Sequence, residues 1–228
     1  MNNQIINFYE LDSVKKFVPK SINPNYDQHH ISVPFRSVVI GSSGSGKTNF
    51  LLNLIKIMTG TFNHIYIYSQ AREPLYDYLE SKIPDSMLTI RYGLHYCREF
   101  KEDDYYGQSL VVFDDQVNEK DQKVIQELFI RGRKIANGIS LIYLTQSYYR
   151  VPKIIRGQCN YIFILKVSGN RDLKMILNEY ALGATVEQLQ QLYQYCCGTS
   201  EINAFMTIDL QTTQDKTFRK NFNEFLTP

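Results

Sequence analysis

Tryptophan is absent from this 228-residue chain, although 17 tyrosines and 13 phenylalanines make it rich in aromatic residues. Its longest apolar runs are about seven residues, against the roughly 20 that a bilayer-spanning helix needs. Charge of one sign is also missing: the formal balance is +2, so any basic surface for nucleic acid must be local. The four cysteines, Cys97, Cys159, Cys196 and Cys197, have no C-x-x-C spacing, and an adjacent pair is a poor zinc frame. Free or buried thiols in a reducing compartment are expected instead. His29 and His30 lack a second pair at metal spacing and read as loop residues. The N-terminus has no charged-then-apolar leader pattern, so a soluble intracellular protein is expected.

What is present is concentrated in eight residues, Gly41-Ser42-Ser43-Gly44-Ser45-Gly46-Lys47-Thr48. They fit G-x-x-x-x-G-K-[ST], directly after the apolar run Val38-Val39-Ile40 and directly before Phe50-Leu51-Leu52. This is the strand–loop–helix setting of a phosphate-binding loop. A chain of this length would match the pattern by accident roughly once in a hundred. Main-chain amides and a helix N-terminus turned toward one point make an anion site. Lys47 is expected on the β- and γ-phosphates and Thr48 on Mg²⁺, with Asn49 completing the ATP-binding segment.

From Arg36 onward apolar strands alternate with amphipathic segments. Strands are expected at 37–40, 64–68, 87–91, 110–113, 139–144, 161–165 and 204–209. Helices are expected at 47–58, 73–81, 120–131, 153–157, 171–180 and 185–196. Several strands show little alternation, as in sheets covered on both faces, so a mostly parallel, three-layer α/β domain is expected over residues 36–210. Residues 1–35 read as an N-terminal arm and 211–228 as a polar tail, mobile or partner-binding.

Leu110-Val111-Val112-Phe113-Asp114-Asp115 is an apolar strand ending in two carboxylates, the form of a Walker B element. Asp114 is the candidate for the Mg²⁺ shell and Asp115 for orienting and deprotonating a water. The next strand ends in Thr145-Gln146, and an amide there can sense the γ-phosphate. Charge developing in the transition state calls for a guanidinium, and Arg133 and Arg156 are the candidates, acting from the same or a neighbouring subunit.

With these residues assembled, the chain resembles the poxvirus-type DNA-packaging ATPases of the FtsK–HerA superfamily, found in large DNA viruses, virophages and Polinton-like elements. The likeness is carried by Gly132-Arg133-Lys134, Thr145-Gln146-Ser147-Tyr148 and Pro152-Lys153-Ile154-Ile155-Arg156, beside the Walker elements. It implies a RecA/FtsK-like P-loop fold with an additional strand between the Walker A and Walker B strands. It implies an ATPase motor that moves double-stranded DNA without sequence preference into a preformed capsid. It further implies a homo-oligomeric ring of five or six copies, capsid or vertex proteins as partners, and the host cytoplasm at virus factories as location. Two departures stand out: Lys134 replaces the usual histidine, and Asp115 replaces the common glutamate. Tyr148, Tyr149, Arg150, Lys153, Lys101, Tyr105 and Tyr106 are loop residues that could face DNA, but each reads first as an ordinary surface or packing residue and none is assigned a site. A small-molecule kinase and a nucleotide-gated assembly protein are the alternatives. A kinase needs an acceptor pocket and an arginine-rich lid, whereas the acidic pair and Gln146 serve water activation.

Overall fold

The computed structural model describes residues 5–93, 107–198, 201, 203–212 and 214–228. Nine strands form one sheet in the order β3-β2-β4-β5-β1-β6-β7-β8-β9. The parallel part comprises β1 (Arg36–Ile40), β2 (His64–Ser69), β3 (Leu88–Tyr92), β4 (Ser109–Asp114), β5 (Ile139–Thr145) and β6 (Tyr161–Ile164). Then β7 (Met206–Asp209), β8 (Phe218–Lys220) and β9 (Glu224–Leu226) extend the β6 side as antiparallel neighbours. Strand β5 lies between β1 and β4, which is the additional strand expected between the two Walker elements.

Side chains of successive strand residues fall on opposite faces, and both faces are covered. On one face Val38, Ile40, Val111, Phe113, Leu141 and Tyr143 pack with Ile125, Leu128 and Phe129 of α5 (Lys123–Arg131). The same layer holds α6 (Lys153–Arg156), α7 (Asn170–Glu179) and α8 (Val186–Cys197), whose Thr185–Gln188 capping box satisfies its first amides. On the other face Val39, Val112, Ile142 and Leu144 meet Phe50, Leu51 and Leu54 of α3 (Lys47–Ile57) and Tyr76 and Leu79 of α4 (Pro74–Glu80). Each fully buried aliphatic side chain here contributes about 1.5–3 kcal/mol, so the two layers hold the strand ends rigidly.

Short helices α1 (Asp12–Lys15) and α2 (Tyr26–His29) occupy the N-terminal arm. Its last residues are core, since Ile31 and Phe35 are fully buried and His29 accepts from the Ile31 amide through Nδ1 at 3.0 Å. Burial, with His30 and Arg219 nearby, pushes the His29 imidazole down to about 4, so this histidine is a neutral structural group.

The polar tail departs from expectation. Its residues form β8 and β9 rather than a free segment. Arg219 is fully buried, pairs with Asp209 at 2.9 Å and donates to the carbonyls of His29, His30 and Phe222. Composition masks this, because an arginine that pairs with one aspartate and three carbonyls looks polar in sequence yet locks tail and arm together. Cys159, Cys196 and Cys197 are free thiols, and no histidine, cysteine and carboxylate cluster among the described residues could hold a metal. No described helix is long and apolar enough to cross a membrane.

Candidate nucleotide site

Parallel strands deliver their C-terminal ends to one edge of the sheet, where loops gather functional groups. The register aligns Ile40 with Thr145, and Ser69 with Asp114. Between β1 and α3 the chain turns through Gly44 at φ +72° and Gly46 at φ +90°. Gly46 is the N-cap of α3, so the first amides of that helix face the turn. A Cβ on Gly46 would collide with the Asn203 carboxamide. The loop is tied at its base, where the Gly41 amide donates to the Thr145 carbonyl at 3.2 Å and the Ser42 amide to Lys166 at 3.0 Å.

A cavity of about 320 Å³ opens over this turn, lined by P-loop residues, Glu73, Asp114, Asp115 and Gln146 among others. Lys47 Nζ donates to the carbonyls of Gly41 and Ser42, at 2.9 and 3.2 Å. Burial lowers the Lys47 ammonium from its ordinary range, and Asp114, Asp115 and Glu73 oppose that shift. Asp114, at the tip of β4, is buried, and its Oδ2 accepts from Tyr76 at 2.7 Å and Ser69 at 3.3 Å. Burial raises its carboxyl above the usual range; the Tyr76 hydroxyl pulls it back while Glu73 adds to the rise. Asp115 follows at φ +54°, in the left-handed region that aspartate tolerates better than most side chains. Gln146 Nε2 donates to Asp115 Oδ2 at 3.2 Å, bridging the ends of β4 and β5.

The structure therefore gathers Ser43, Gly44, Gly46, Lys47, Thr48, Asn49, Asp114, Asp115 and Gln146 around one cavity. Gly41, Ser42 and Ser45 form the wall of the same loop. Two arginines are not brought there. Arg156 is a correction: it is 5% exposed, pairs with Glu179 at 2.8 Å and lies 4.9 Å from the Tyr148 ring. An arginine held this way by α6 and α7 is an internal strut, and extracting it toward a nucleotide would leave Glu179 without its partner. Arg133 is exposed, just before β5 and beside Arg36, whose guanidinium is lowered first by burial and then by Arg133. That is the opposite edge of the sheet, roughly 20 Å away along a seven-residue strand. It cannot reach the nucleotide cavity of its own chain. Tyr148 is also fully buried and is no DNA grip, while Tyr149, Arg150 and Lys153 are exposed. Cys97, Lys101, Tyr105 and Tyr106 lie outside the described residues.

One functional residue escaped sequence reasoning. Glu73, the N-cap of α4, accepts from the Thr48 hydroxyl at 2.7 Å. Its only sequence signal was an acidic residue directly before Pro74, just past the tip of β2. The donor set fits a magnesium triphosphate. Ser45 Oγ is shielded from solvent and has no hydrogen-bond partner, as an atom awaiting a phosphate oxygen would be. Thr48 and Asp114 are oxygen donors of the kind that Mg²⁺ takes.

The poxvirus A32 protein family matches residues 25–208. This chain belongs to that family. The DNA packaging protein OPG160 of variola virus is 24% identical over 239 residues, covering 86% of this chain and 87% of that protein. Among solved structures, the genome packaging NTPase B204 of Sulfolobus turreted icosahedral virus 2, with ATPγS, superposes with a TM-score of 0.60 at 16% identity. That match covers 84% of this chain and 98% of B204. EssC ATPases 2 and 3 from Geobacillus thermodenitrificans give a TM-score of 0.54 at 13% identity, covering 86% of this chain and 40% of that one. The A32-family chain thus has a P-loop NTPase fold of the kind that viral packaging enzymes share with EssC.

Proposed function

We propose that this A32-family protein is an ATP-hydrolysing motor that moves double-stranded DNA into a preformed capsid, working as a homo-oligomeric ring. The observation that carries the reading is the Gln146–Asp115 hydrogen bond beside Lys47. It supports the reading because a carboxylate and a carboxamide side by side at the cavity can orient and deprotonate a water, and no second pocket for a phosphate acceptor is needed. Lys47 would exchange its two carbonyls for phosphate oxygens, and Thr48 and Asp114 would hold a magnesium ion, which would neutralise charge on the phosphates. Asp115 accepts the proton from the water, and Gln146 orients the water through its amide. Arg133, stranded from its own cavity, serves the neighbouring copy in the ring. Family membership and the packaging role carried in the name of the variola relative support DNA as the moved substrate.

The test is ATP turnover by the purified full chain with and without linear double-stranded DNA. Stimulation by DNA of any sequence, weakening as salt rises, is the expected result. Turnover indifferent to DNA, with phosphate transferred to a small acceptor instead of water, would favour the kinase alternative.

A further inference from the structure

The start of α4 touches both oxygen donors suited to magnesium. Glu73, its N-cap, accepts from the Thr48 hydroxyl at 2.7 Å, and Tyr76, three residues on, donates its hydroxyl to Asp114 Oδ2 at 2.7 Å. Residues three apart in a helical turn lie side by side, and the Tyr76 amide closes that turn on the Glu73 carbonyl at 2.9 Å. Pro74 takes the first helical position, where its fixed φ suits a helix start and its missing N–H removes no bond. The run Glu73-Pro74-Leu75-Tyr76 thus sends a carboxylate to Thr48 and a phenol to Asp114. The two contacts differ in kind. Thr48 and Glu73 are both half-buried at the cavity, so their bond can be exchanged. Tyr76 is fully buried in the layer that holds Phe50, Leu54 and Ile67, and Asp114 is only 6% exposed.

We propose that Tyr76 is a positioning residue for the magnesium site, holding the Asp114 carboxylate by one oxygen so that the other is presented to the metal. The inference rests on the magnesium triphosphate reading above. Ring packing fixes the Tyr76 hydroxyl, and a buried hydroxyl must keep its acceptor, so the hydroxyl in turn fixes the carboxylate. Ser69, at the tip of β2, donates to the same Oδ2 at 3.3 Å and works in the same sense. Among the described residues no donor falls on Oδ1, which leaves that oxygen for a cation. The last torsion of an aspartate is broad, so an unpaired carboxylate at a strand tip would have to be ordered when the metal arrives. Held beforehand by α4 and β2, it is ordered on folding. Outer partners that orient a metal-binding carboxylate are worth about 10–100-fold in metal affinity. Tyr76 itself touches neither the phosphates nor the attacking water on this account; it acts through Asp114.

Calorimetric titration of the full chain with ATPγS, once with Mg²⁺ and once with EDTA, gives the magnesium gain as the ratio of the two affinities. Tyr76→Phe keeps the ring in place and removes only the hydroxyl. Its magnesium gain is expected to fall about tenfold, while ATPγS in EDTA binds within about twofold of the parent. A Tyr76→Phe chain that loses stability in denaturant but keeps the parent's gain overturns the positioning role and leaves the tyrosine a structural group. A larger gain than the parent's would mean that the hydroxyl competes with the metal, which overturns it as well. Asp114→Asn separates this inference from the reading beneath it and is expected to lose most of the gain. If Asp114→Asn loses the gain and Tyr76→Phe keeps it, only the positioning role falls. If Asp114→Asn keeps the gain, Asp114 does not hold the metal and both fall.

Discussion

Gln146 separates two regions of opposite character. Toward the nucleotide cavity its contacts are few and exchangeable: a 3.2 Å bond to a half-exposed Asp115, beside a lysine resting on loop carbonyls and a threonine resting on Glu73. Toward α7 the chain that follows it is pinned. The Tyr149 amide donates to Asp172 at 2.9 Å, the buried Tyr148 and Tyr180 hydroxyls meet at 2.7 Å, and Arg156 pairs with Glu179. A site that cycles between nucleotide states needs loose contacts where the phosphate comes and goes. It needs stiff ones where a displacement must reach the rest of the subunit. The difference between the two sides of one glutamine is, on this account, how chemistry and movement are joined.

The comparison can be broken first on its loose side. Lys47→Ala should reduce ATP turnover at least about 10³-fold by removing the cation that meets the phosphates, with the fold retained by circular dichroism. Asp115→Asn should cut turnover about 10²–10⁴-fold and leave ATPγS binding within a few-fold, since it removes a proton acceptor and preserves shape. A variant as active as the parent would place the base elsewhere, with Glu73 next to be tested.

The stiff side answers in stability rather than in chemistry. Arg156→Leu should lower unfolding free energy by about 2–3 kcal/mol in denaturant titration, less than a fully buried pair because Glu179 is 35% exposed. If it kept full stability and lost turnover that a Lys47→Ala partner restored in mixed assemblies, Arg156 would regain a catalytic role. Tyr148→Phe is the smallest change. Losing the Tyr180 partner should cost about 1 kcal/mol and leave ATPγS binding unaltered.

How much was legible in the sequence follows the same division. The phosphate loop, Asp114-Asp115 and Gln146 were readable because each lies at a strand tip, and covalent spacing alone brings a strand tip to the site. The uninterrupted apolar runs gave away the parallel strands for a related reason, since burial on both faces leaves no room for alternation. Glu73, Arg156 and Arg219 were not readable in this way. Their roles depend on partners 25, 23 and 10 residues away across packed elements, and a charged residue that finds such partners looks like any solvated one in sequence. Arg156 shows the hazard most plainly: the motif that carried the family resemblance also carried a strut that resembled a catalytic cation.

The most direct measurement is a crystal structure of the full chain with ATPγS and Mg²⁺. The account predicts Lys47 Nζ withdrawn from the Gly41 and Ser42 carbonyls onto phosphate oxygens, Thr48 turned from Glu73 to the metal, and Ser45 Oγ bonded to phosphate. Nucleotide bound elsewhere, with Lys47 still on those carbonyls and the loop empty, would contradict it.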